Sequence, residues 1–332
     1  MEAASAAEGA EKILDAILVL GTLIDQHPES ELFPQAIYQR TRLHFFQADF
    51  AKAVADANLF LEKYPLLPLA VDILTWLGDY YANTENYEKA LDCFAQIHAQ
   101  HAASPQAPTA LYEAAYCAYQ LQQFPTVHAM LGNLRTMTSP KPTDQILARA
   151  ELLEGDILSR DGQYAEAIRF FARARELAGN TAVGLAALGR QGEMFYSLAA
   201  SDQAKLADAI ACFQAILDTP GVSADARELA TYRLAKCYEM QGKSEEAIAA
   251  YLAIVFQYEE QVSQGKLRDW FYLARSGYDA ARLMELQGGQ SNIWRAARVY
   301  ERLARTGIPT AGEALKKRSE EHTSELQSPN TI

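Results

Sequence analysis

One spacing constrains this chain more than any other property of it. A small residue (valine once), a second residue four places on and an apolar one three further recur along the sequence. They stand at Ala16/Leu20/Leu23, Ala53/Ala57/Phe60, Ala90/Phe94/Ile97 and Val127/Leu131/Leu134. The pattern continues at Ala167/Phe171/Ala174, Ala209/Phe213/Ile216, Ala247/Tyr251/Ile254 and Ala296/Tyr300/Leu303. First members are separated by 37, 37, 37, 40, 42, 38 and 49 residues. Offsets of three and four put side chains on one face of a helix. A period of this length marks a repeated supersecondary unit that must stack on its neighbours to bury its apolar face.

A second signal lies twelve residues before most of these anchors, at Thr41, Gly78, Ala115, Gly155 and Ala235. Each is small and flanked by apolar positions at helical spacing. Gly192 and Ala280 take this part with longer gaps, so SLAASDQAKLAD (197–208) and LQGGQSN (286–292) read as insertions. The turn-like pieces NTEN, RDGQ and MQGK separate the two signals. Pro28, Pro65, Pro105, Pro140, Pro220 and Pro309 follow the second signal, where proline ends a helix. Each unit is therefore predicted to be helix, short turn, helix. In LTWLGDYYANTENYEKALDCF (74–94), Gly78 and Ala90 are expected to touch and let the two helices approach. Leu77, Tyr81 and Phe94 then fill the wider gaps.

These residues resemble the tetratricopeptide repeat. Its pattern carries an apolar residue, Gly or Ala and an aromatic on the first helix, then Ala, an aromatic, Ala and a closing Pro on the second. Leu77, Gly78, Tyr81, Tyr87, Ala90, Phe94 and Ile97 match it, as do Gly155, Leu158, Tyr164, Ala167, Phe171 and Ala174. The period is longer than the family's roughly 34 residues, and the Val127 unit is weak. The longer units ending in Tyr-Pro resemble bacterial cell-envelope members, of the Tol–Pal-associated and outer-membrane-assembly kinds. The resemblance implies an all-α fold: a right-handed α-solenoid (superhelix) of about seven to eight stacked antiparallel helical hairpins over residues 10–317, the first one incomplete. Residues 1–9 read as a disordered segment. Ala10–Gln26 reads as the second helix of a unit whose first is missing, so the chain is expected to be a piece of a longer protein. The ending RSEEHTSELQSPNTI (318–332) lacks the repeat and resembles the conceptual translation of a sequencing adapter. It is expected to be non-native and disordered.

Composition matters mainly for what it rules out. Of 332 residues, 49% are hydrophobic and 22% charged, enough for a core, and the formal net charge is −12 with no Lys/Arg block. Nucleic acid and anionic membranes are poor partners for such a chain. The most apolar run, AILVLGTLI (16–24), is too short to span a bilayer and is bracketed by Asp15 and Asp25, so no membrane insertion is expected. Cytoplasm and periplasm both stay open. No P-loop, dinucleotide glycine signature, HExxH or GxSxG motif occurs. Carboxylates are scattered, and no acid/base pair stands out. His98 and His101 form an H-x-x-H with His128 elsewhere, but nothing marks a third metal ligand. No catalytic residue, metal or cofactor is predicted. Cys93 and Cys212 share one repeat position, Cys117 and Cys237 another. The pairs Cys93/Cys117 and Cys212/Cys237 either staple neighbouring units in an oxidising compartment or are buried apolar filler.

In the family these motifs resemble, first helices line a concave groove that receives an extended peptide or a helix. Aligning the units on their small residues projects Tyr38, Arg42, Phe45 and Phe46 into it, then Thr75, Asp79 and Asn83, then Tyr112, Tyr116 and Tyr119. Later units add Asp156, Arg160, Glu193, Tyr196, Tyr232 and Lys236. A tyrosine-rich wall suits binding, since tyrosine offers contact area at low entropy cost and keeps a polar tip. Any of these aromatics could instead pack on a neighbouring helix. Chaperone-binding members clamp a C-terminal carboxylate with Lys and Asn. The corresponding places hold Arg42, Asp79, Tyr116 and Asp156, so a chaperone-tail clamp is not expected. The resemblance implies a non-catalytic scaffold or assembly adaptor for a protein or peptide partner. The alternative is a recruiting or regulatory arm of a larger enzyme or envelope complex.

Overall fold

The computed structural model describes residues 2–265, 270–310, 312–314, 316 and 317, with side chains from residue 11 onward. Helix α1 (Glu2–Gln26) comes first, then the hairpins α2–α3 (Phe33–Phe46, Phe50–Lys63), α4–α5 (Leu69–Asn83, Tyr87–Gln100) and α6–α7 (Ala107–Gln120, Phe124–Thr136). After them come α8–α9 (Asp144–Arg160, Tyr164–Ala178), α10–α11 (Ala182–Leu198, Lys205–Leu217), α12–α13 (Ala224–Met240, Ser244–Ser263) and α14–α15 (Phe271–Gln287, Gln290–Arg305). No strand occurs among the described residues. The chain gathers into two compact units, residues 1–154 and 155–332, with the boundary inside α8. Helix α1 begins at Glu2, within the stretch 1–9 expected to be disordered; Ala and Glu, which dominate there, are strong helix formers. Residues 318–332 lie outside the described part.

In both units a helix packs on its hairpin partner and on the first helix of the next hairpin, as α4·α5 and α5·α6 do in one and α12·α13 and α13·α14 in the other. The first unit's core holds Ile37, Phe60, Leu74, Leu77, Phe94 and Ile97. The second unit has one core around Phe213 and Ile216 and another around Tyr251, Leu273, Met284 and Leu303. The prolines stand where the period placed them: Pro28, Pro65, Pro105, Pro140, Pro220 and Pro309 follow α1, α3, α5, α7, α11 and α15.

The turns inside five of the hairpins share one geometry. Ala48, Glu85, Gln122, Gly162 and Gly242 all take a positive φ, between 56° and 76°. Past each, an amide donates five residues back: Asp49 to His44, Asn86 to Tyr81, Gln123 to Ala118, Gln163 to Leu158 and Lys243 to Tyr238. This is the Schellman closure, which satisfies carbonyls left over at a helix end and asks for a left-handed residue. Asp49 and Asn86 then cap the second helix by accepting from the amides of Lys52 and Lys89. The stretch 197–208 spans the connection between α10 and α11, whereas of 286–292 only Gly288 and Gly289 lie between α14 and α15 and the rest belongs to those helices, so no insertion shows in that turn.

The small first-helix residues do not serve quite as expected. The atoms nearest to where a Cβ on Gly78 would sit are those of the Phe94 ring, at 2.6 Å, rather than Ala90. Gly192 faces the Phe213 ring in the same way, at 2.9 Å, and Gly277 faces the Leu303 methyls at 2.7 Å. Gly155 lies closer still to Phe171. The glycine is thus a seat for one large side chain from the second helix. Gly78/Phe94, Ala115/Leu131 and Gly155/Phe171 share a sequence offset of 16, and the residue grows on one helix where it shrinks on the other. Gly78→Ala is expected to overpack the site by about 1–3 kcal/mol, less about 1 kcal/mol regained in helix propensity. Adding Phe94→Leu, which copies the Ala115/Leu131 pair, should recover about 1 kcal/mol of the loss. Urea denaturation of both single variants and the double tests this; strictly additive effects would show that the pair is not coupled.

Buried ion pairs supplement this packing. Arg40 on α2 grips Asp56 on α3 with two bonds, Nε to Oδ2 at 2.8 Å and Nη2 to Oδ1 at 2.6 Å, and Asp56 is only 6% exposed. His44 stands 3.7 Å from the same carboxylate. Its own pKa is lowered, chiefly because burial disfavours the cation. On the far side of the first unit, Arg135 of α7 reaches Glu151 and Glu154 of α8, and His128 meets Glu154.

Candidate functional site

In the first unit, three of the projected groove residues converge. Asp79 and Asn83 at the end of α4 and Tyr116 on α6 line a cleft of about 350 Å3 with Tyr87, Glu113 and Cys117. Burial raises the carboxyl pKa of Asp79, and that of Glu113 against the pull of Arg149, which pairs with Glu113 at 3.1 Å. Tyr119 stacks on Tyr116 with ring centroids 6.5 Å apart. Tyr38 and Phe45 belong to an aromatic cluster instead. Tyr38 packs on Trp76 at 5.2 Å and its hydroxyl donates to Asp72 at 2.9 Å, while Phe45 meets Trp76, Phe50 and Tyr80. Arg42 and Phe46 are exposed. Tyr112 is buried: the guanidinium of Arg149, from α8, lies 4.2 Å over its ring. It supports the wall rather than facing a partner.

The second unit gathers a larger set. Tyr196 on α10, Tyr232, Arg233 and Lys236 on α12, and Trp270, Phe271, Arg275, Tyr278 and Asp279 leading into and along α14 line a cleft of about 730 Å3. Beneath it lies a charge network. Lys236 Nζ stands 3.2 Å from Asp279 and 3.4 Å from Glu239, and Arg282 stands 2.7 Å from Glu239 and 3.2 Å from Asp279. Two tyrosines close it: the Tyr232 hydroxyl donates to Asp279 at 3.1 Å, and the Tyr251 hydroxyl donates to Glu239 at 3.0 Å. Burial pushes the Tyr232 pKa up to about 12 and raises that of Tyr251 further, with the neighbouring carboxylates adding to both.

That network fixes two of the projected residues in place. Tyr232 is buried, 5% exposed, because Asp279 from the next first helix takes its hydroxyl and the Tyr272 ring covers it. Lys236 keeps its head between two carboxylates. The groups left facing outward are Trp270 and Phe271, both exposed, and Arg275, whose guanidinium lies 4.7 Å over the Phe271 ring and makes no ion pair among the described residues. Nearer the start of this unit, Asp156 pairs with Arg190 at 3.1 Å. Burial pushes its carboxyl up to about 6, with Arg190 acting in the opposite direction. Arg160 is exposed at the end of α8, and Glu193 pairs with Arg233 at 2.8 Å.

In the sequence Ala280 reads as that unit's small anchor, and this hides the α14 residues. The glycine seat identifies Gly277 instead. Counted from Gly277, the same offsets that gave Thr75 and Asp79 from Gly78 give Ala274 and Tyr278, and both line the cleft.

Among the described residues no group of three His, Cys, Asp or Glu side chains is placed to hold a metal ion. His101 bonds to the Pro65 carbonyl at 2.9 Å, away from His128 and its Glu154 contact. All four cysteines are buried free thiols. Burial raises Cys93 and Cys212 to about 11, and Cys117 and Cys237 to about 12; Cys93 adds to the shift of Cys117 and Cys212 to that of Cys237. Cys93 and Cys117 share one core and Cys212 and Cys237 another, and neither pair is bonded, which fits apolar filler. No helix is long and apolar enough to cross a membrane among the described residues.

Residues 38–101, 78–126 and 197–262 match the family model described as tetratricopeptide repeat. A tetratricopeptide repeat protein from Parabacteroides merdae is 15% identical with a TM-score of 0.46, covering 76% of this chain and 90% of that one. Yeast Tom70 is 14% identical with a TM-score of 0.49, over 83% of this chain and 60% of its own. The Cut9–Hcn1 hetero-tetramer of the APC/C gives 13% identity and a TM-score of 0.46, over 92% of this chain and 52% of the matched one.

Proposed function

We propose that this chain, which carries tetratricopeptide repeats over residues 38–126 and 197–262, is a non-catalytic scaffold that holds a protein partner through its first helices. The observation that carries this is the cleft of the second unit. It places two exposed aromatics, a guanidinium with no ion pair among the described residues and several tyrosines around about 730 Å3 of open space. Aromatic and arginine side chains supply most of the energy at protein interfaces, and here Phe271 and Arg275 sit on α14, which the network beneath ties to α12. An extended segment fits, with an apolar side chain over Trp270 and Phe271 and a backbone carbonyl or carboxylate facing Arg275.

The test begins with affinity capture of partners from the source cell, identified by mass spectrometry, and continues with measured affinities for the purified partner. Trp270→Ala and Arg275→Ala are each expected to weaken binding about tenfold or more, at unchanged helicity by circular dichroism. A partner that binds both variants as tightly as the parent chain would move the site off this cleft. Tyr116→Ala tests the first unit in the same way. Tyr112 and Tyr232 are unsuitable, because their loss would act through packing.

A further inference from the structure

The second helices of the second unit carry a different surface. Helix α15 has Arg295, Arg298, Arg302 and Arg305 at steps of three, four and three, so all four share one face over about 15 Å of helix. The opposite face, with Ala296, Val299, Tyr300 and Leu303, is buried. Four arginines against the single Glu301 give this helix a net charge of +3 in a chain of net −12. The arginine face borders a cleft of about 620 Å3 whose apolar lining is Leu252 and Phe256 of α13, Met284 of α14 and Val299. Phe256 is 46% exposed, with the Arg302 guanidinium 4.8 Å over its ring.

Three of the arginines are already oriented. Arg295 reaches Glu245 at 3.2 Å, Arg302 reaches Glu259 at 2.5 Å and Arg305 reaches Glu301 at 2.7 Å. Each contact uses one edge of a guanidinium that has five N–H donors, so donors remain for a ligand. Arg298 sits between Arg295 and Arg302, is exposed, and has no carboxylate partner among the described residues. We infer that this face docks an acidic amphipathic helix of a protein partner, with carboxylates at three- and four-residue spacing against the arginines and an apolar side chain against Phe256 and Leu252. Charge complementarity is the ground for this choice, since the ligand spacing mirrors that of α15. A nucleic acid backbone fits less well, because a long polyphosphate runs beyond the four arginines onto a chain of net charge −12 that repels it. The surface belongs to the second-helix layer and so is separate from the first-helix cleft proposed above. Occupied together, the two would let one molecule bring two partners into contact.

The test uses the full chain and a fluorescein-labelled model helix with glutamates at alternating three- and four-residue steps and one phenylalanine on the same face. Anisotropy is expected to show binding that weakens steeply as salt rises through the physiological range. Replacing the peptide's glutamates with glutamine should lower affinity about tenfold or more, and Arg298→Glu in the protein should do the same. Arg298 is exposed and has no carboxylate partner among the described residues, so the variant keeps its fold, and circular dichroism checks that. Equal binding of the glutamine peptide, or undiminished binding by Arg298→Glu, would overturn the inference. So would displacement of the peptide by a thymidine oligonucleotide at lower concentration than by unlabelled peptide.

Discussion

Arg40→Ala is expected to destabilise the α2–α3 hairpin by about 3–5 kcal/mol, among the largest losses available to a single substitution in this chain. The reason lies in what is left behind. Asp56 is 6% exposed and takes both oxygens' bonds from Arg40, while His44, 3.7 Å away, is held toward its neutral form by burial and is a poor substitute cation. Removing the guanidinium strands a carboxylate in an apolar hairpin, and the cost is its lost solvation rather than the lost attraction. The pair removed as a whole, Arg40→Met with Asp56→Leu, should recover most of the loss. Repeat arrays unfold in parts, so the clearest measurement is hydrogen exchange over α2 and α3 alongside a urea melt. A single variant that exchanges like the parent would show that Asp56 finds water or another donor.

The second large effect is at Tyr251, whose ring is fully buried between α12, α13 and α14. Tyr251→Ala is expected to cost about 3–5 kcal/mol through the cavity it opens. Tyr251→Phe isolates the hydroxyl and should cost about 1–2 kcal/mol, since Glu239 loses a donor but keeps Lys236 and Arg282. The effect reaches the binding face as well. Glu239 and Asp279 hold Lys236, and Asp279 holds Tyr232, so a loosened Tyr251 unsettles the floor of the cleft that Trp270 and Arg275 overlook. Thermal melts of the two variants give the stability terms. Partner binding by Tyr251→Phe, reduced while its helicity stays intact, would show the floor to be part of the recognition surface.

The hairpins, their order and the prolines that end them could be read from the sequence because each depends on residues close together in the chain. A helix face needs only offsets of three and four, and a terminating proline acts on its own turn. The turns at Ala48 and Gln122 were less legible, since neither carries the glycine that announces Gly162 and Gly242, yet they take the same backbone form. The site was harder for a related reason. Asp79, Asn83 and Tyr116 could be placed by counting from a small residue. Whether a tyrosine faces outward or is covered depends on the first helix of the next unit: Arg149 covers Tyr112 and Asp279 takes the Tyr232 hydroxyl. Those partners lie tens of residues away, and the repeat pattern does not specify them. The α14 residues were obscured by one anchor set three positions late, which turns the projected face by about 60° and shifts it by most of a helical turn along the axis.

The left-handed turns at Ala48, Glu85 and Gln122 stand 37 residues apart. Excising residues 49–85 would therefore join one such turn to the start of another second helix, with Asn86 arriving where Asp49 had capped. A loss of one or two residues instead rotates everything beyond it by about 100° per residue and exposes the wrong face. Genetic exchange between like stretches thus changes this chain in whole repeats, lengthening or shortening its binding surface while each junction keeps a turn that is already known to close.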